Sequence, residues 1–183
     1  LAEMDALGID REGVLMLDEP WQTMVYAKPY RGEDEQSRLD FGSTGPLPTG
    51  VHDKLLTHLE QALASADAVI INQQIVSGLY TDEVLERLRE LLAARPELTS
   101  VVDTRHLGVP LPQATLKLNA LEATTFAGEE PRESLADDDA LALAQRIARE
   151  NGTRVFLTRG DAGLVVATPE TTEAVLPIDC GSR

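Results

Sequence analysis

The spacing of hydrophobic and polar positions changes twice along this chain. Residues 1–8 (LAEMDALG) carry apolar side chains at helical spacing and end on a glycine, which is typical of a helix C-terminus. Between residues 13 and 41 the apolar stretches are short, partly alternating, and separated by Gly, Pro and acidic residues. This pattern predicts two to four strands of a small exposed sheet. A connector rich in Gly, Pro, Ser and Thr follows at residues 42–50.

From residue 51 onward, helical stripes of apolar residues alternate with short apolar runs. Residues 51–65 (VHDKLLTHLEQALAS) carry leucines at helical spacing, which predicts a helix. A second helix is predicted from Thr81 or Asp82, either of which can cap it, to about Ala94. The amphipathic spacing implies that each helix buries one face.

A third helix and six strands complete the pattern. Ser134 is followed three residues later by Asp137, which predicts a helix start with a capping box, and Gly152 closes that helix. The stretch KLNALEATTFAG, residues 117–128, also contains the start of a helix. The predicted strands are residues 66–72, 99–105, 114–119, 154–158, 163–168 and 172–178.

Strands that alternate with helices of this length predict an α/β domain with a mostly parallel sheet. We expect residues 13–48 to form a small β lid and residues 51–183 to form the α/β core. In such sheets, ligands bind beyond the carboxyl ends of the strands. Polar residues that directly follow a strand are therefore the first candidates for a site.

Composition narrows the functional classes. The 183 residues suffice for one domain with a core, and no apolar run approaches the roughly 20 residues of a membrane span. A formal charge of −15 argues against nonspecific binding to nucleic acid or to anionic membranes. The single Cys180 excludes an intramolecular disulfide and a cysteine zinc cluster, which fits a reducing, cytoplasmic setting.

Charged residues follow the strand at residues 99–105. Asp103 and Arg105 offer a carboxylate and a guanidinium, which suit a charged substrate or a phosphate. The ordinary alternative is an ion pair or helix cap within a loop, and the residues by themselves favour that alternative. Asn72 follows the preceding strand in the same way.

Asn119 and Glu122 lie three residues apart at a predicted helix start, on one side of its first turn. An amide there can donate a hydrogen bond to a phosphate oxygen, and a carboxylate can hold Mg²⁺ directly or through water. The alternative is a surface asparagine and a glutamate that is favoured by the helix dipole. The pair alone does not decide between them.

The stretch LTRGDAGLVV, residues 157–166, carries a strand into a turn with two glycines. The glycines allow the backbone to approach a ligand closely, and the Thr158 hydroxyl can bond a ribose or a phosphate. The same residues also predict a tight hairpin. Neither a Walker-type loop nor the Gly-x-Gly-x-x-Gly pattern is present, and the three histidines lack metal-ligand spacing.

Taken in order, these segments resemble the ribokinase (PfkB) family of sugar kinases. In that family an aspartate at a strand end precedes an Asn-x-x-Glu segment, which precedes a Thr-x-Gly-x-x-Gly turn. The resemblance covers essentially the whole chain. The lid sequence at residues 26–41 is most similar to the branch that phosphorylates heptose 7-phosphate. The matching residues are Asp103, Asn119, Glu122, Thr158, Gly160 and Gly163.

The resemblance implies a three-layer α/β/α fold with a mostly parallel sheet, a small β lid, ATP as phosphoryl donor and Mg²⁺. It makes Glu122 the candidate metal ligand. The residues expected to bind ATP are Asn119, Glu122, Thr158, Arg159, Gly160, Asp161 and Gly163. The residues expected to bind the sugar are Lys28 and Arg38 of the lid, together with Asn72, Asp103 and Arg105.

The chain also departs from the family pattern. Residues 72–78 (NQQIVSG) replace an Asp-Tyr-x-x-Gly segment, and DTR at residues 103–105 replaces Asp-Pro-Lys. The Gly-Ala-Gly-Asp motif that supplies the general base is absent, as are the paired glycines of the amino-terminal sugar-binding part. We therefore expect the catalytic aspartate to lie after Arg183, and this chain to be the central part of a longer kinase, inactive alone.

Three functions remain compatible with the sequence. The first is phosphorylation of a sugar or sugar phosphate, and the lid sequence indicates a heptose 7-phosphate as the substrate. The second is a noncatalytic domain that binds nucleotide or sugar on a kinase scaffold. The third is a kinase of the same family for another sugar or a nucleoside. Because lid sheets in this family often pair between subunits, a homodimer through the lid is the expected assembly.

Overall fold

The computed structural model describes residues 2–17, 21–74, 78–105, 111 and 113–177. His106, Cys180 and the last residue of the final predicted strand lie outside these residues. The helices are α1 (Ala2–Ala6), α2 (Val51–Leu63), α3 (Asp82–Ala93), α4 (Ala120–Phe126) and α5 (Asp137–Asn151). The strands are β1 (Val25–Ala27), β2 (Tyr30–Arg31), β3 (Asp34–Glu35), β4 (Leu39–Phe41), β5 (Ala68–Gln73), β6 (Thr99–Thr104), β7 (Thr115–Asn119), β8 (Val155–Thr158), β9 (Leu164–Ala167) and β10 (Thr172–Val175).

The chain divides into two compact units, which are described separately. The first comprises Leu1–Ser65 and Ile75–Leu88, and the second comprises Ala66–Gln74 and Arg89–Arg183. The boundary between them falls within α3. In the described part of the chain, no helix has both the length and the apolar character needed to cross a membrane.

The first unit contains the predicted short strands. β1 pairs with β4 and β2 pairs with β3, both antiparallel, so the region forms two separate two-stranded pieces. The four strands match the predicted number and are largely exposed. The predicted helix end at residues 1–8 is confirmed, since α1 is followed by Gly8 at φ 68°.

Two helix starts in the first unit illustrate different capping. Gly50 precedes α2 at φ 81° without a side-chain cap. The Thr81 hydroxyl accepts a hydrogen bond from the Val84 backbone N–H at 3.3 Å, which confirms the predicted cap of α3. α3 then buries an apolar stripe that includes Val84 and Leu88.

The second unit is built on a six-stranded sheet of order β10-β9-β8-β7-β6-β5. β5 to β8 are parallel neighbours, and β9 and β10 extend the sheet antiparallel through hairpins. The prediction of a mostly parallel sheet is confirmed. The carboxyl ends of the four parallel strands therefore meet at one edge, where the candidate residues lie.

Alternate residues of this sheet form a buried core. Leu116, Val155 and Ala167 occupy one row of neighbouring strands, and all three are buried. α5 packs against β8 and β9 with an apolar stripe centred on Ile147, which is fully buried. The opposite set of side chains is only partly covered, and Ile70 is 72% exposed. The candidate polar residues belong to this second set.

The predicted capping box at the start of α5 is wrong. The helix begins at Asp137, and Ala136 is its N-cap residue, with no side-chain hydrogen bond. Three aspartates in the first turn interact favourably with the helix dipole instead. Ser134 lies upstream of the helix, on the wall of a cavity.

Candidate functional site

One row of polar residues crosses three parallel strands. Asn72 of β5 lies opposite Asp103 of β6, which lies opposite Lys117 of β7. The Lys117 ammonium lies 3.1 Å from Asp103 Oδ1, and both side chains are about one-third exposed, at 33% and 30%. The Gln74 amide donates to Asn72 Oδ1 at 2.8 Å. The strands thus bring two predicted substrate residues into one connected polar row.

Reasoning from the sequence placed Lys117 near a strand end but assigned it no role. Its signal is alternation, since Lys117 and Asn119 flank a leucine on the same strand and therefore face the same side. Arg105, in contrast, is exposed, and its backbone N–H donates to the Gln73 carbonyl at 3.1 Å. Asp103 makes its ion pair across strands with Lys117.

Asn119 and Glu122 lie together, but they bond each other. Asn119 is the N-cap of α4, and its Oδ1 accepts from the Glu122 N–H at 2.8 Å. Glu122 Oε2 accepts from the Asn119 N–H at 2.8 Å. This reciprocal capping box satisfies two backbone donors. Among the described residues, Asn119 Nδ2 and Glu122 Oε1 have no hydrogen-bond partner, and these atoms are available to a ligand.

The hairpin from β8 to β9 places Thr158 beside Asn119. The two residues are partners in the parallel ladder, although 39 positions separate them in sequence. The turn is a short 3₁₀ helix at Gly160–Ala162, and the Arg159 N–H donates to the Gly163 carbonyl at 2.9 Å. The predicted hairpin is confirmed. It fixes the backbone of Arg159 at the end of the sheet.

The two glycines of this turn, Gly160 and Gly163, have different surroundings. Gly160, at φ 57°, has no atom within 4 Å of the place where a Cβ would stand. Gly163 is at φ 81°, and a Cβ there would collide with the Val175 carbonyl oxygen and lie 2.9 Å from the Pro177 nitrogen. Gly163 is therefore required by the close approach of the end of β10 and the residues that follow it.

A cavity of about 480 Å³ lies between this turn and the start of α4. Four of the residues predicted to bind ATP line it, while Glu122, Asp161 and Gly163 do not. A carboxylate from Glu133 and several apolar side chains, including Leu121 and Leu135, complete the wall. The predicted residues on the wall are Asn119, Thr158, Arg159 and Gly160. Apolar walls with a few polar groups are typical of small-molecule sites.

Arg159 is the buried charge of this cavity. Its side chain is 8% exposed, and it makes an ion pair from Nη2 to Oδ1 of Asp137, whose own side chain is 83% exposed. Arg159 Nε is buried and finds no hydrogen-bond partner among the residues that the structure describes.

In the described ranges, no group of three or more His, Cys, Asp or Glu side chains is arranged to hold a metal ion.

The predicted lid residues belong to the first unit, and each is paired there. Lys28 lies 2.9 Å from Glu35, whose other carboxylate oxygen accepts from the Tyr30 hydroxyl at 2.9 Å. The hydrogen bond that Lys28 donates to Glu35 raises the pKa of Lys28 and lowers the pKa of Glu35.

Arg38 is also paired within the lid. It holds Asp40 through two hydrogen bonds of 2.7 and 2.8 Å, and it lies 4.6 Å from the centre of the Tyr26 ring. The hydrogen bond that Arg38 donates to the Asp40 carboxylate raises the pKa of Arg38 above its ordinary value. Both lid cations therefore carry a carboxylate partner on an exposed surface.

Comparison with known proteins identifies the fold. No protein-family model matches the sequence, and no curated protein does either. Among solved structures, the chain is similar to phosphofructokinase-2 from Escherichia coli in complex with fructose-6-phosphate, with 20% identity and a TM-score of 0.59 over 80% of this chain and 49% of that one. It is similar to ribokinase from Giardia lamblia, with 18% identity and a TM-score of 0.69 over 99% of this chain and 55% of that one.

A third similar structure is the Burkholderia thailandensis nucleoside kinase in complex with inosine, with 16% identity and a TM-score of 0.55 over 97% of this chain and 54% of that one. The chain thus spans about half the length of the solved structures it matches. At these identities the likeness establishes the fold alone. The predicted ribokinase-like α/β fold is confirmed.

Proposed function

We propose that the protein is a kinase of the ribokinase type, which transfers the γ-phosphoryl group of ATP to a hydroxyl of a sugar or sugar phosphate. The observation that carries the proposal is the cavity lined by Asn119, Thr158, Arg159 and Gly160. These residues come from two strand ends and a turn, and the parallel ladder brings them together. The ribokinase-like fold and the position at the carboxyl edge of the sheet support the same function.

The chemistry of the cavity wall supports our proposal that the nucleotide binds there. The Thr158 hydroxyl lies 3.4 Å from the Leu118 carbonyl oxygen, a weak contact that a ribose or phosphate oxygen can replace. Asn119 Nδ2 supplies a donor for phosphate, because the cap uses only the Oδ1 atom of that side chain. Gly160 leaves room for close approach of the ligand. Asp161 and Gly163 shape the turn.

Glu122 is the residue proposed to serve Mg²⁺, and its environment fits a supporting role. One carboxylate oxygen is held by the Asn119 N–H, and the other has no partner among the described residues. Mg²⁺ in phosphoryl-transfer sites is held by one or two carboxylates, substrate phosphates and waters, so a single carboxylate acting through water suffices here. When bound, the ion neutralises charge on the transferred phosphoryl group.

The residues proposed to bind the sugar lie in the polar row of the second unit and in the lid of the first, and each group is considered within its own unit. Lys117, fixed by Asp103, presents an ammonium with two further donors, and Asn72 and Arg105 lie at the same carboxyl edge. In the lid, Lys28 and Arg38 hold exposed carboxylates. Exposed ion pairs contribute little to stability, so these cations can exchange their partners for a sugar phosphate at small cost.

The lid sequence supports heptose 7-phosphate as the substrate within this class. Another sugar, or a nucleoside, is the competing assignment. For assembly, we propose a homodimer through the lid, supported by apolar side chains that β1 to β4 leave about half exposed. They are Val25 at 54%, Tyr26 at 44%, Tyr30 at 59%, Leu39 at 50% and Phe41 at 57%. Light scattering after size exclusion tests this, and a strict monomer would contradict it.

The kinase proposal is tested with the complete protein encoded by the gene. Purified protein is incubated with Mg-ATP and a panel of heptose 7-phosphate, fructose 6-phosphate, ribose and inosine, and ADP release is measured. We expect turnover with one acceptor class and its loss in Thr158→Val combined with Asn119→Ser. Binding of ADP without turnover on any acceptor would instead support a noncatalytic nucleotide-binding domain.

A further inference from the structure

Arg159 combines two features that ordinary structural arginines lack. Its side chain is more than nine-tenths buried, and one of its polar atoms, Nε, has no hydrogen-bond partner among the described residues. Its one side-chain partner in that part of the chain, Asp137, is 83% exposed and binds Nη2 only. A guanidinium carries five N–H donors, so this pairing leaves most of its capacity unused.

This arrangement is costly unless a ligand completes it. Taking a charge out of water is unfavourable, and attraction to one carboxylate that itself remains in water recovers only part of that cost. A buried donor without an acceptor adds a further penalty. Arg159 lines the cavity, so a ligand there can supply the missing acceptor.

We propose that Arg159 binds an anionic oxygen of the ligand through Nε, and that Asp137 is the residue that holds Arg159 in position for it. The inference rests on the proposed function, in which that oxygen belongs to a nucleotide phosphate. Nε and the Nη atoms of a guanidinium lie in one plane, so a carboxylate on one side and a phosphate on another can be bound together.

Both ends of this arrangement are anchored. The Arg159 backbone N–H is bonded to the Gly163 carbonyl across the turn, at 2.9 Å. Asp137 is the first residue of α5, a helix whose apolar stripe, centred on Ile147, is buried against β8 and β9. Asp137 therefore approaches Arg159 from a fixed element. Its contribution acts through the arginine.

Glu133 provides an internal contrast. It is exposed and also lines the cavity, so it presents a negative charge to the same ligand. If Arg159 binds an anion, removal of the Glu133 charge should leave binding unchanged or tighten it, whereas removal of the Arg159 charge should weaken it. If the ligand is uncharged, removing the Glu133 charge and removing the Arg159 charge should not change its affinity in opposite directions.

The test measures binding of Mg-ADP and of adenosine to the complete protein by calorimetry. We expect Arg159→Met to weaken ADP about tenfold or more and to leave adenosine within about twofold. Arg159→Lys keeps the charge but removes Nε, and it should also weaken ADP. Asp137→Asn should weaken ADP about threefold to tenfold, Asp137→Glu should restore it, and Glu133→Gln should not weaken it.

The outcomes separate this inference from the function on which it rests. If the unmodified protein binds neither ADP nor adenosine, the proposed function itself fails. If it binds ADP, and Arg159→Lys and Asp137→Asn bind ADP equally well, the role of Arg159 is overturned. Equal weakening of ADP and adenosine would also overturn it, because the phosphate would then not be the group recognised. Arg159→Lys and Asp137→Asn decide the question even if Arg159→Met does not fold.

Discussion

Two arginine–aspartate pairs in this protein differ in their exposure to solvent and in the number of hydrogen bonds they make. Arg38 in the lid holds both oxygens of Asp40, and their side chains are 48% and 40% exposed. Arg159 in the β8–β9 turn is 8% exposed and makes one contact to an exposed partner. The lid and the β8–β9 turn each contain a glycine of positive φ. An exposed pair with all its hydrogen bonds made contributes little to stability, whereas a buried and incompletely bonded arginine is the better candidate for a ligand site.

The glycines in these two regions give the largest expected contrast. Gly163→Ala places a Cβ against the Val175 carbonyl at φ 81°, so we expect the free energy of unfolding to fall by about 3 kcal/mol. Gly32 lies at φ 65° in the lid hairpin with open space around it, so Gly32→Ala should cost about 1 kcal/mol. Urea denaturation measures both, and equal losses would show that the β8–β9 turn is not tightly held.

The carboxylates of the two pairs give the next contrast. Asp137→Ala leaves the buried Arg159 uncompensated, and we expect a loss of about 2 kcal/mol, less than for a fully buried pair because Asp137 is exposed. Asp40→Ala should leave the urea midpoint unchanged within error, because Arg38 then faces water. The comparison breaks down if Asp40→Ala proves the more destabilising of the two.

Substitutions of Asn119 can distinguish its contribution to stability, as the cap of α4, from its contribution to nucleotide binding. Asn119→Ala removes the cap of α4 and should cost about 1 kcal/mol in thermal or urea unfolding. Asn119→Ser keeps a capping oxygen but removes the Nδ2 donor, so it should retain stability and weaken ADP binding. An Asn119→Ser protein with normal ADP affinity would reduce Asn119 to a structural role.

The smallest expected effect is the titration of Glu35 in the lid. Its pKa is lowered first by the hydrogen bond from Lys28, so its stabilising contribution is present above its unfolded pKa and is lost as pH falls through the folded pKa. Lys28→Met should move the pKa of Glu35 back toward its ordinary value in an NMR titration. An unchanged pKa would indicate that the ion pair is not formed in solution.

Much of the fold follows from local pattern. Apolar alternation locates the strands of the core sheet, and Thr81 is recognisable as a cap because its bond is made three residues away. The hairpin between β8 and β9 is visible for the same reason. These features depend on neighbours in sequence, where spacing carries the information.

The candidate site is less predictable, because its decisive contacts are made between distant residues. The Lys117–Asp103 pair depends on the register of β6 and β7, and the Arg159–Asp137 pair joins the β8–β9 turn to the start of α5. The error at Ser134 has a local cause. A favourable spacing competed with three aspartates one turn later, and the helix began at Asp137.

The most direct test of the central claim is amide NMR of the protein titrated with Mg-ADP. If the nucleotide binds in the cavity, the amides of residues 119–122 and 158–163 should shift together with saturable dependence on ADP, while those of the lid hairpin, residues 30–35, remain in place. A saturable response confined to other residues, or none at all, would contradict the assignment of this cavity as a nucleotide site.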